Sequence, residues 1–541
     1  MKNISSTGSF INFYLNNYIY IDKTKYISDI VKLERVFISR PRRFGKSLTL
    51  DTIATLFETG VEPYFKGTWI YDKWTEPTYP VLRLNFLNFD KNSLEKFNNK
   101  LNSKITEFAE LNDVTTYKEK KEAEDSIDHL LEQLRLEGRQ IVILIDEYDC
   151  QMTANINNET LYKQFQEKIK SFYANIKDKF AIKFLGITGV TRLKDVSIFS
   201  VGSDIRDITN ASAYSQMIGF TRDEIKKFYI DYLKLAASYE NNCSVDDVTD
   251  TQIESLLDRL AKNYDGYCFD EFYKKKVFST WSVNSFFQSI VENKFVFFDE
   301  YWYDNGGLPS ILVNYLKTHE LNIFEYLDKD KFLKVSSDDF KNPTALTTIN
   351  QNVLMCQTGY LTLRSDLKKS STVLLGIPNG EIYKALNRLL ANNIFKGKAD
   401  VTDDQGKNLL EEGTVDDIIN LFNSALNSVS YDNYPIVSES SVQNMLKLYL
   451  LGAHQEVLSE VHEAKGRADL IVNTDIRRIV FEFKYAQNES EAKTKLSEAV
   501  EQIKSRDYGN ILPKKHELLR IAAVFNADPK VRAFTENQIV P

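Results

Sequence analysis

Two sets of residues in this chain have the types and spacing to act on phosphate. The first is Gly45-Lys46-Ser47, which follows the apolar run Val36-Phe37-Ile38 and opens the helical pattern Ser47-Leu48-Thr49-Leu50. A glycine there lets backbone N–H groups close on phosphate oxygens. The lysine reaches β- and γ-phosphates, and the serine hydroxyl can sit on Mg²⁺. The general pattern has its first glycine where this chain has Arg40. Farther on, Gln140-Ile141-Val142-Ile143-Leu144-Ile145 ends in Asp146-Glu147-Tyr148-Asp149. An apolar run tipped with acids is what a central parallel strand looks like, buried on both faces with its polar end where ligands bind. Asp146 would hold the Mg²⁺ shell together with Ser47, and Glu147 would polarise the attacking water. Each motif alone also reads as plain structure, a strand-to-helix turn and a solvated acidic turn. Their pairing, in this order, favours the nucleotide site.

The second set lies near the end of the chain. Arg478-Ile479-Val480-Phe481-Glu482-Phe483-Lys484 reads as a strand, so Glu482 and Lys484 project from one face. Gly466-Arg467-Ala468-Asp469-Leu470-Ile471-Val472 reads as the strand before it. If the two pair, the carboxylates of Asp469 and Glu482 meet the Lys484 amine. Two carboxylates suit Mg²⁺, which keeps several waters. Lys484 would orient or deprotonate the attacking water while the metal stabilises charge on phosphate. Glu-x-Lys on its own is common on solvated strands. Here both flanks are apolar and an acid lies one hairpin upstream.

These groups must be positioned by a chain of 541 residues, long enough for two to four domains. Hydrophobic residues make up 43% and charged residues 27%, as in ordinary globular proteins. The net charge of −8 excludes a global basic field, so any nucleic-acid contact must be local. Cys150, Cys243, Cys268 and Cys356 are far apart in sequence and read as reduced thiols, neither a disulfide frame nor a zinc site. No run approaches the length of a membrane span, and the first residues lack a signal-peptide core. The expected location is cytoplasmic, without membrane contact.

Tyr79 to Phe86 and Phe180 to Gly189 read as further strands, and Leu94 to Glu110, Lys118 to Glu137 and Glu159 to Asn175 as helices. Strands alternating with helices indicate a parallel sheet covered on both faces. From about Ala211 the pattern turns helical, with Thr221 and Glu224 spaced as a capping box. The aromatic residues from Phe286 to Trp302 read as core. Tyr14, Tyr18 and Tyr20 are expected to pack beside the nucleotide site. The polar stretch Lys396 to Gly413 reads as a domain boundary.

Taken together, Tyr20-Ile21-Asp22-Lys23-Thr24, Ser39-Arg40-Pro41-Arg42-Arg43-Phe44-Gly45-Lys46-Ser47, Leu185-Gly186-Ile187-Thr188-Gly189-Val190-Thr191 and Gln357-Thr358-Gly359-Tyr360-Leu361-Thr362 resemble the predicted AAA-ATPase-like family. These are bacterial P-loop proteins that commonly carry a C-terminal nuclease domain of the PD-(D/E)XK type. The resemblance implies an α/β fold: a P-loop NTPase parallel sheet with a helical, winged-helix-like lid, and a C-terminal α/β restriction-endonuclease-like domain. The corresponding domains are 1–210, 211–400 and 401–541. It implies ATP and Mg²⁺ as cofactors, with Arg43, Phe44, Gly45, Lys46, Ser47 and Leu48 around the nucleotide. Thr188 would sense the γ-phosphate. Arg192 would reach the same phosphate or stand as a surface arginine. The loop Ser197-Ile198-Phe199-Ser200 also matches the family. At the C-terminus the resemblance implies a nuclease site of Asp469, Glu482 and Lys484. Ala468 stands where the pattern's name has proline, Glu439 is an extra acid, and Gln502 and Tyr508 follow on the next helix. The implied partner is nucleic acid, DNA first, and copies of the chain could associate. Two functions stay open: an ATP-controlled nuclease, or an NTP-switched binding protein whose nuclease fold is a non-cleaving platform.

Overall fold

The computed structural model describes residues 1–176, 180–193, 204–302, 310–316, 319, 322–343, 345–395, 403–453, 455–463, 466–506, 508 and 517–541. The loop expected at Ser197 to Ser200 lies outside them, as do residues 396–402 of the expected boundary. The chain divides into two compact units, Met1–His319 with Phe332–Ile382, and Glu320–Lys331 with Tyr383–Pro541.

The first unit is built on β1 (Arg35–Ser39), β2 (Val81–Asn85), β3 (Ile141–Asp146), β4 (Ile182–Gly189) and β5 (Arg206–Asp207). They form one sheet in the order β2-β3-β4-β1-β5, with every pair parallel. Every residue of β1 and β3 is buried, as strands with helices on both faces must be. Parallel strands share one carboxyl edge, so the ends of β1, β3 and β4 are neighbours, with β4 between the other two. That edge is where ligands bind in such sheets. After β1 the chain turns through Gly45, at φ +101°, into the helix Lys46–Thr59. Glycine takes that left-handed conformation without strain.

Helices Arg222–Phe228, Ile230–Asn241, Asp250–Tyr264 and Thr280–Asn293 pack around Tyr229, Leu256, Leu260, Phe286 and Phe287. Thr221 and Glu224 cap the first of them reciprocally, as their spacing predicts. Glu224 also pairs with buried Lys23 at 2.6 Å, which ties this helical layer to the stretch ahead of β1. Strands β6 (Leu333–Ser336), β7 (Thr362–Leu363) and β8 (Thr372–Gly376) form a small antiparallel sheet in the order β6-β8-β7.

The second unit holds β9 (Glu456–Glu463), β10 (Gly466–Asn473), β11 (Arg477–Ala486), β12 (Glu517–Asn526) and β13 (Ala533–Ile539). The sheet is mixed. Strands β9, β10 and β11 run antiparallel in sequence, β11 and β12 are parallel, and β13 returns antiparallel. The parallel pair is bridged by the crossover helix Glu489–Arg506. Among the described residues no helix is long and apolar enough to cross a membrane, and the four cysteines are free.

Several local expectations need correction. The helix expected from Lys118 begins at Ala123, because the Asn98 and Asn102 side chains hold the main chain of Lys120 to Ala123 in an irregular turn. Phe295 is 56% exposed, whereas Phe286, Phe287 and Trp302 are in the core. Residues 403–412, read as part of a linker, form a helix.

One buried acid gives the first unit a pH signature. Glu381 accepts hydrogen bonds from Ser282 Oγ at 2.7 Å and from the Trp302 N–H at 2.8 Å, with 2% exposure. Burial raises its pKa from 4.5 to about 8. Between those values the folded unit holds a proton that the unfolded chain has released. Stability therefore falls as pH rises through this window, by about 1.4 kcal/mol per pH unit from this group alone. Glu381→Gln removes that slope. The melting temperature of the variant relative to wild type should climb from about pH 5 to about pH 8, and a constant difference would refute the assignment.

Candidate functional sites

At the carboxyl edge of the first sheet, one carboxylate joins three chain segments. Asp146, at the end of β3, accepts the Ser47 hydroxyl on Oδ2 at 2.6 Å and the Thr188 hydroxyl on Oδ1 at 2.5 Å. Ser47 and Asp146 are the two groups between which loops of this kind hold Mg²⁺. Lys46 is buried, donating to the Arg40 and Pro41 carbonyls at 3.1 and 3.2 Å, with Glu147 3.6 Å away. Those carbonyls hold the ammonium where a phosphate oxygen would compete for it. Burial raises the pKa of Glu147, against the opposing charges of Lys46 and Arg42. The next residues are structural. The Asp149 carboxylate takes the Thr191 N–H at 2.7 Å and its hydroxyl at 2.5 Å, locking the end of β3 to the end of β4. Gly189 is required there, since a Cβ would stand 2.4 Å from the Tyr148 ring.

A cavity of about 520 Å³ opens on this edge, lined by the loop from Arg42 to Thr49, by Glu147 and by the helical layer at Phe220 and Trp281. Arg43 lies over the Trp281 ring at 4.1 Å, and its carbonyl accepts the Thr280 hydroxyl. Leu48 lines the cavity from the first turn of the helix. The Phe44 ring turns away and is buried edge-on against Tyr267 and Phe269, so only its main chain serves the loop. Tyr20 lines the cavity as expected, whereas Tyr14 and Tyr18 line a neighbouring groove. Arg192 is not brought to the cavity. Its guanidinium pairs with Asp207, its N–H donates to Gln357, and it lines a small recess beside Arg40. Arg42, which the motif reading passed over, does line the cavity with Glu147.

Arg40 explains the departure from the general loop pattern. It is 1% exposed, donates to the Ser39 and Thr209 carbonyls at 2.8 and 2.7 Å, and covers the Phe269 ring at 4.1 Å. Burial lowers its pKa to about 9, with Asp207 opposing.

In the second unit, β10 and β11 pair with Leu470 opposite Phe481, so the next step sets Asp469 opposite Glu482. The Phe483 N–H donates to Asp469 Oδ2 at 2.8 Å, and Gln443 holds the Asp469 carbonyl. Lys484 donates to Glu482 Oε1 at 2.9 Å and to Glu439 Oε1 at 3.3 Å. Glu482 is fully buried, and its Oε2 has no hydrogen-bond partner among the described residues. Burial, then the charge of Asp469, raises its pKa to about 7 against the pull of Lys484. Burial disfavours the Lys484 ammonium, but Glu482, Glu439 and Asp469 outweigh it and raise its pKa. Lys484 is therefore a donor in this arrangement. On the crossover helix Gln502 is half-buried, and Arg506 follows one turn later. Arg506 donates to the buried Tyr508 hydroxyl at 2.8 Å and lies in the field of Glu482 and Asp469. Its proximity was not readable from spacing, because the helix has to cross the sheet to bring it there.

Among the described residues no three His, Cys, Asp or Glu side chains form a ready metal cluster. The donor sets fit Mg²⁺ in another way: a hydroxyl and a carboxylate at the loop, two carboxylates in the second unit, and the remaining positions left to water and phosphate. The orphaned Glu482 oxygen is the feature such a cation would satisfy.

The strand order and the first site define a P-loop, Walker-type ATPase fold, followed by a mixed-sheet α/β domain with an Asp…Glu-x-Lys site. Residues 5–199 match the family model described as predicted AAA-ATPase, and residues 437–534 match that of the PD-(D/E)XK nuclease superfamily. The chain thus carries a predicted AAA-ATPase region followed by a region of the PD-(D/E)XK nuclease superfamily. It is 26% identical over 534 residues to a protein of Azotobacter chroococcum mcd 1 described as an uncharacterized protein in the vnfD 5' region. That match covers 95% of this chain and 94% of that protein. A Walker-type ATPase of Pyrococcus abyssi aligns with TM-score 0.35 and 12% identity, over 67% of this chain and 94% of its own. Cdc6p from Pyrobaculum aerophilum aligns with TM-score 0.25 and 11% identity, over 72% of this chain and 99% of its own. Neither alignment adds to what the strand order states.

Arg40→Gly, which restores the general loop pattern, should destabilise the protein by about 3 kcal/mol by stripping a buried cation from its two carbonyls and ring. Chemical denaturation measures this. An unchanged midpoint would mean that Arg40 is no anchor.

Proposed function

We propose that the chain binds and hydrolyses ATP with Mg²⁺ at the Gly45–Ser47 loop, and that its second unit cleaves phosphodiester bonds of nucleic acid, DNA first, with Mg²⁺. The observation that supports it best is the buried Glu482, one oxygen on Lys484 and the other without a donor among the described residues. Burying a carboxylate with an oxygen unsatisfied costs stability, and a cation would remove that cost.

In the first unit Lys46 would exchange two loop carbonyls for the β- and γ-phosphates. Ser47 and Asp146 would hold Mg²⁺, with Thr188 fixing the Asp146 carboxylate. Glu147, whose proton affinity is raised, would orient the attacking water. The main chain of Arg43, Phe44 and Gly45 would close on phosphate, and Leu48 would floor the site. Arg42, beside Glu147, is better placed than Arg192 to offset charge on the transferred phosphoryl group.

In the second unit a bound Mg²⁺ would polarise the phosphate and lower the pKa of its water. Asp469 and Glu482 would hold it. Lys484 would donate to the attacking water or the phosphate, steadied by Glu439 at the rim. Gln502 would line the same face. The protein would act in the cytoplasm, on nucleic acid, with self-association as a further partner mode. The alternative, an NTP-switched binding protein with a silent platform, keeps no reason for the intact Asp469, Glu482 and Lys484 set.

Lys46→Ala should abolish ATP binding in calorimetry while the melting curve stays cooperative, and unchanged ATP affinity would refute the loop assignment. Lys484→Ala should lower Mg²⁺-dependent cleavage of plasmid DNA at least about 100-fold and leave ATP turnover intact. Equal cleavage by variant and wild type would place the activity elsewhere.

A further inference from the structure

Beside the nucleotide cavity, the first unit carries a larger groove of about 1090 Å³ that neither proposed reaction uses. Its walls combine aromatic rings with lysines. Tyr14 and Trp69 are 47% and 38% exposed, and Tyr18, Tyr26 and Tyr64 are half-buried along the same groove. Tyr14 and Tyr64 meet edge to face at 5.6 Å, so part of the aromatic surface is already organised. The Lys73 ammonium lies 4.7 Å from the Trp69 ring, yet both Trp69 and Tyr14 keep a large exposed surface.

The charges in the groove are unequal once their partners are counted. Lys2, Lys25, Lys66 and Lys227 all line it and are exposed, and none of them forms an ion pair among the described residues. Of the four acids of the groove, two are offset by lysines that do not line it. Asp22 accepts from Thr24 and from the Trp69 N–H, Glu224 holds Lys23, and Asp29 pairs with Lys32. The donors to Asp22 are neutral, so it and Asp223, in the first turn of its helix, keep their negative charge. In a chain of net charge −8, four lysines against two uncompensated acids make a local excess of positive charge next to accessible rings, with Lys227 lying over the Phe228 ring at 5.1 Å.

A groove that tracks a polyanion with lysines and offers aromatic faces to successive bases is the chemistry of single-stranded nucleic-acid binding. A duplex, whose bases are stacked inside, would satisfy the lysines and leave the rings unused. An acidic peptide would do the same. We propose that this groove binds single-stranded nucleic acid on the ATPase-like unit, with Tyr14 and Trp69 stacking on bases and the four lysines on phosphates. The groove and the nucleotide cavity share Phe13 and Tyr20 as a wall. The helix Phe10–Leu15 between them is tied to the loop helix through the Phe10 N–H on Asp51 at 2.7 Å. The strand would therefore lie one side chain away from the ATP site. The proposal stands apart from the cleavage reading, since every residue it uses lies in the first unit.

The test is fluorescence anisotropy of the full chain with a labelled 20-nucleotide oligo(dT), in EDTA so that no cleavage occurs. The wild type should bind it, and so should Lys484→Ala, whether or not the nuclease assignment is right. Tyr14→Ala and Trp69→Ala should each weaken binding about tenfold. Both side chains are exposed, so the melting temperature serves as the control for folding. Lys25→Ala and Lys66→Ala should each reduce the slope of log K against log salt by about 0.7. A duplex of the same length and a poly-glutamate peptide should compete poorly. No binding by the wild type overturns the proposal. So does unchanged affinity in all four groove variants, which would place the strand elsewhere. Competition by poly-glutamate equal to that of unlabelled oligo(dT) would leave only a charge surface and overturn the stacking site.

Discussion

The Asp146 carboxylate is the joint on which the first unit depends. It takes one hydroxyl from the start of the loop helix and one from the end of β4, so three segments far apart in sequence meet on two oxygen atoms. Both bonds lie at the sheet's carboxyl edge, beside the buried lysine of the loop. A buried carboxylate is tolerated only when its oxygens are satisfied. Asp149 repeats the device three residues later, fastening β3 to β4 through Thr191. With those two acids in place, the relative positions of loop, acid pair and hydroxyl are fixed before any ligand arrives.

The two units reach a similar electrostatic arrangement on different folds. In each, a glutamate whose pKa burial raises faces a lysine, Glu147 with Lys46 and Glu482 with Lys484. Such a pair is costly to bury and needs more partners to be worth keeping. Lys46 has two carbonyls, and Lys484 has Glu439 and the Phe483 carbonyl. In the second pair the atom left under-satisfied, Glu482 Oε2, is one that a cation would meet.

Much of the fold was legible in the sequence, because β1, β3 and β4 are apolar runs long enough to declare themselves and end in polar residues. Period-two spacing placed Glu482 and Lys484 on one face, and the capping spacing of Thr221 and Glu224 gave a helix start. What stayed hidden was long-range partnership. Arg192 looks like a phosphate ligand from its place after β4, but Asp207 and Gln357 claim it. Phe44 looks like part of a nucleotide loop, yet its ring is an anchor for a turn more than two hundred residues later. Arg506 reaches the acids of the second unit only because a crossover helix carries it there. The tyrosines near the start look like one group in sequence, but only Tyr20 reaches the cavity, and it shares the groove with Tyr14 and Tyr18.

Arg40 has a consequence for how this loop can change over generations. The guanidinium is shared among Ser39, Thr209 and the Phe269 ring, which belong to three separate stretches of chain. A glycine there would leave an arginine-sized void under the loop, and a lysine has no planar group to lay on the Phe269 ring while one nitrogen holds both carbonyls. Drift at position 40 is therefore expected to be tolerated only with compensating changes near Phe269, making the pair a covarying unit and the loop's sequence signature a record of its neighbours.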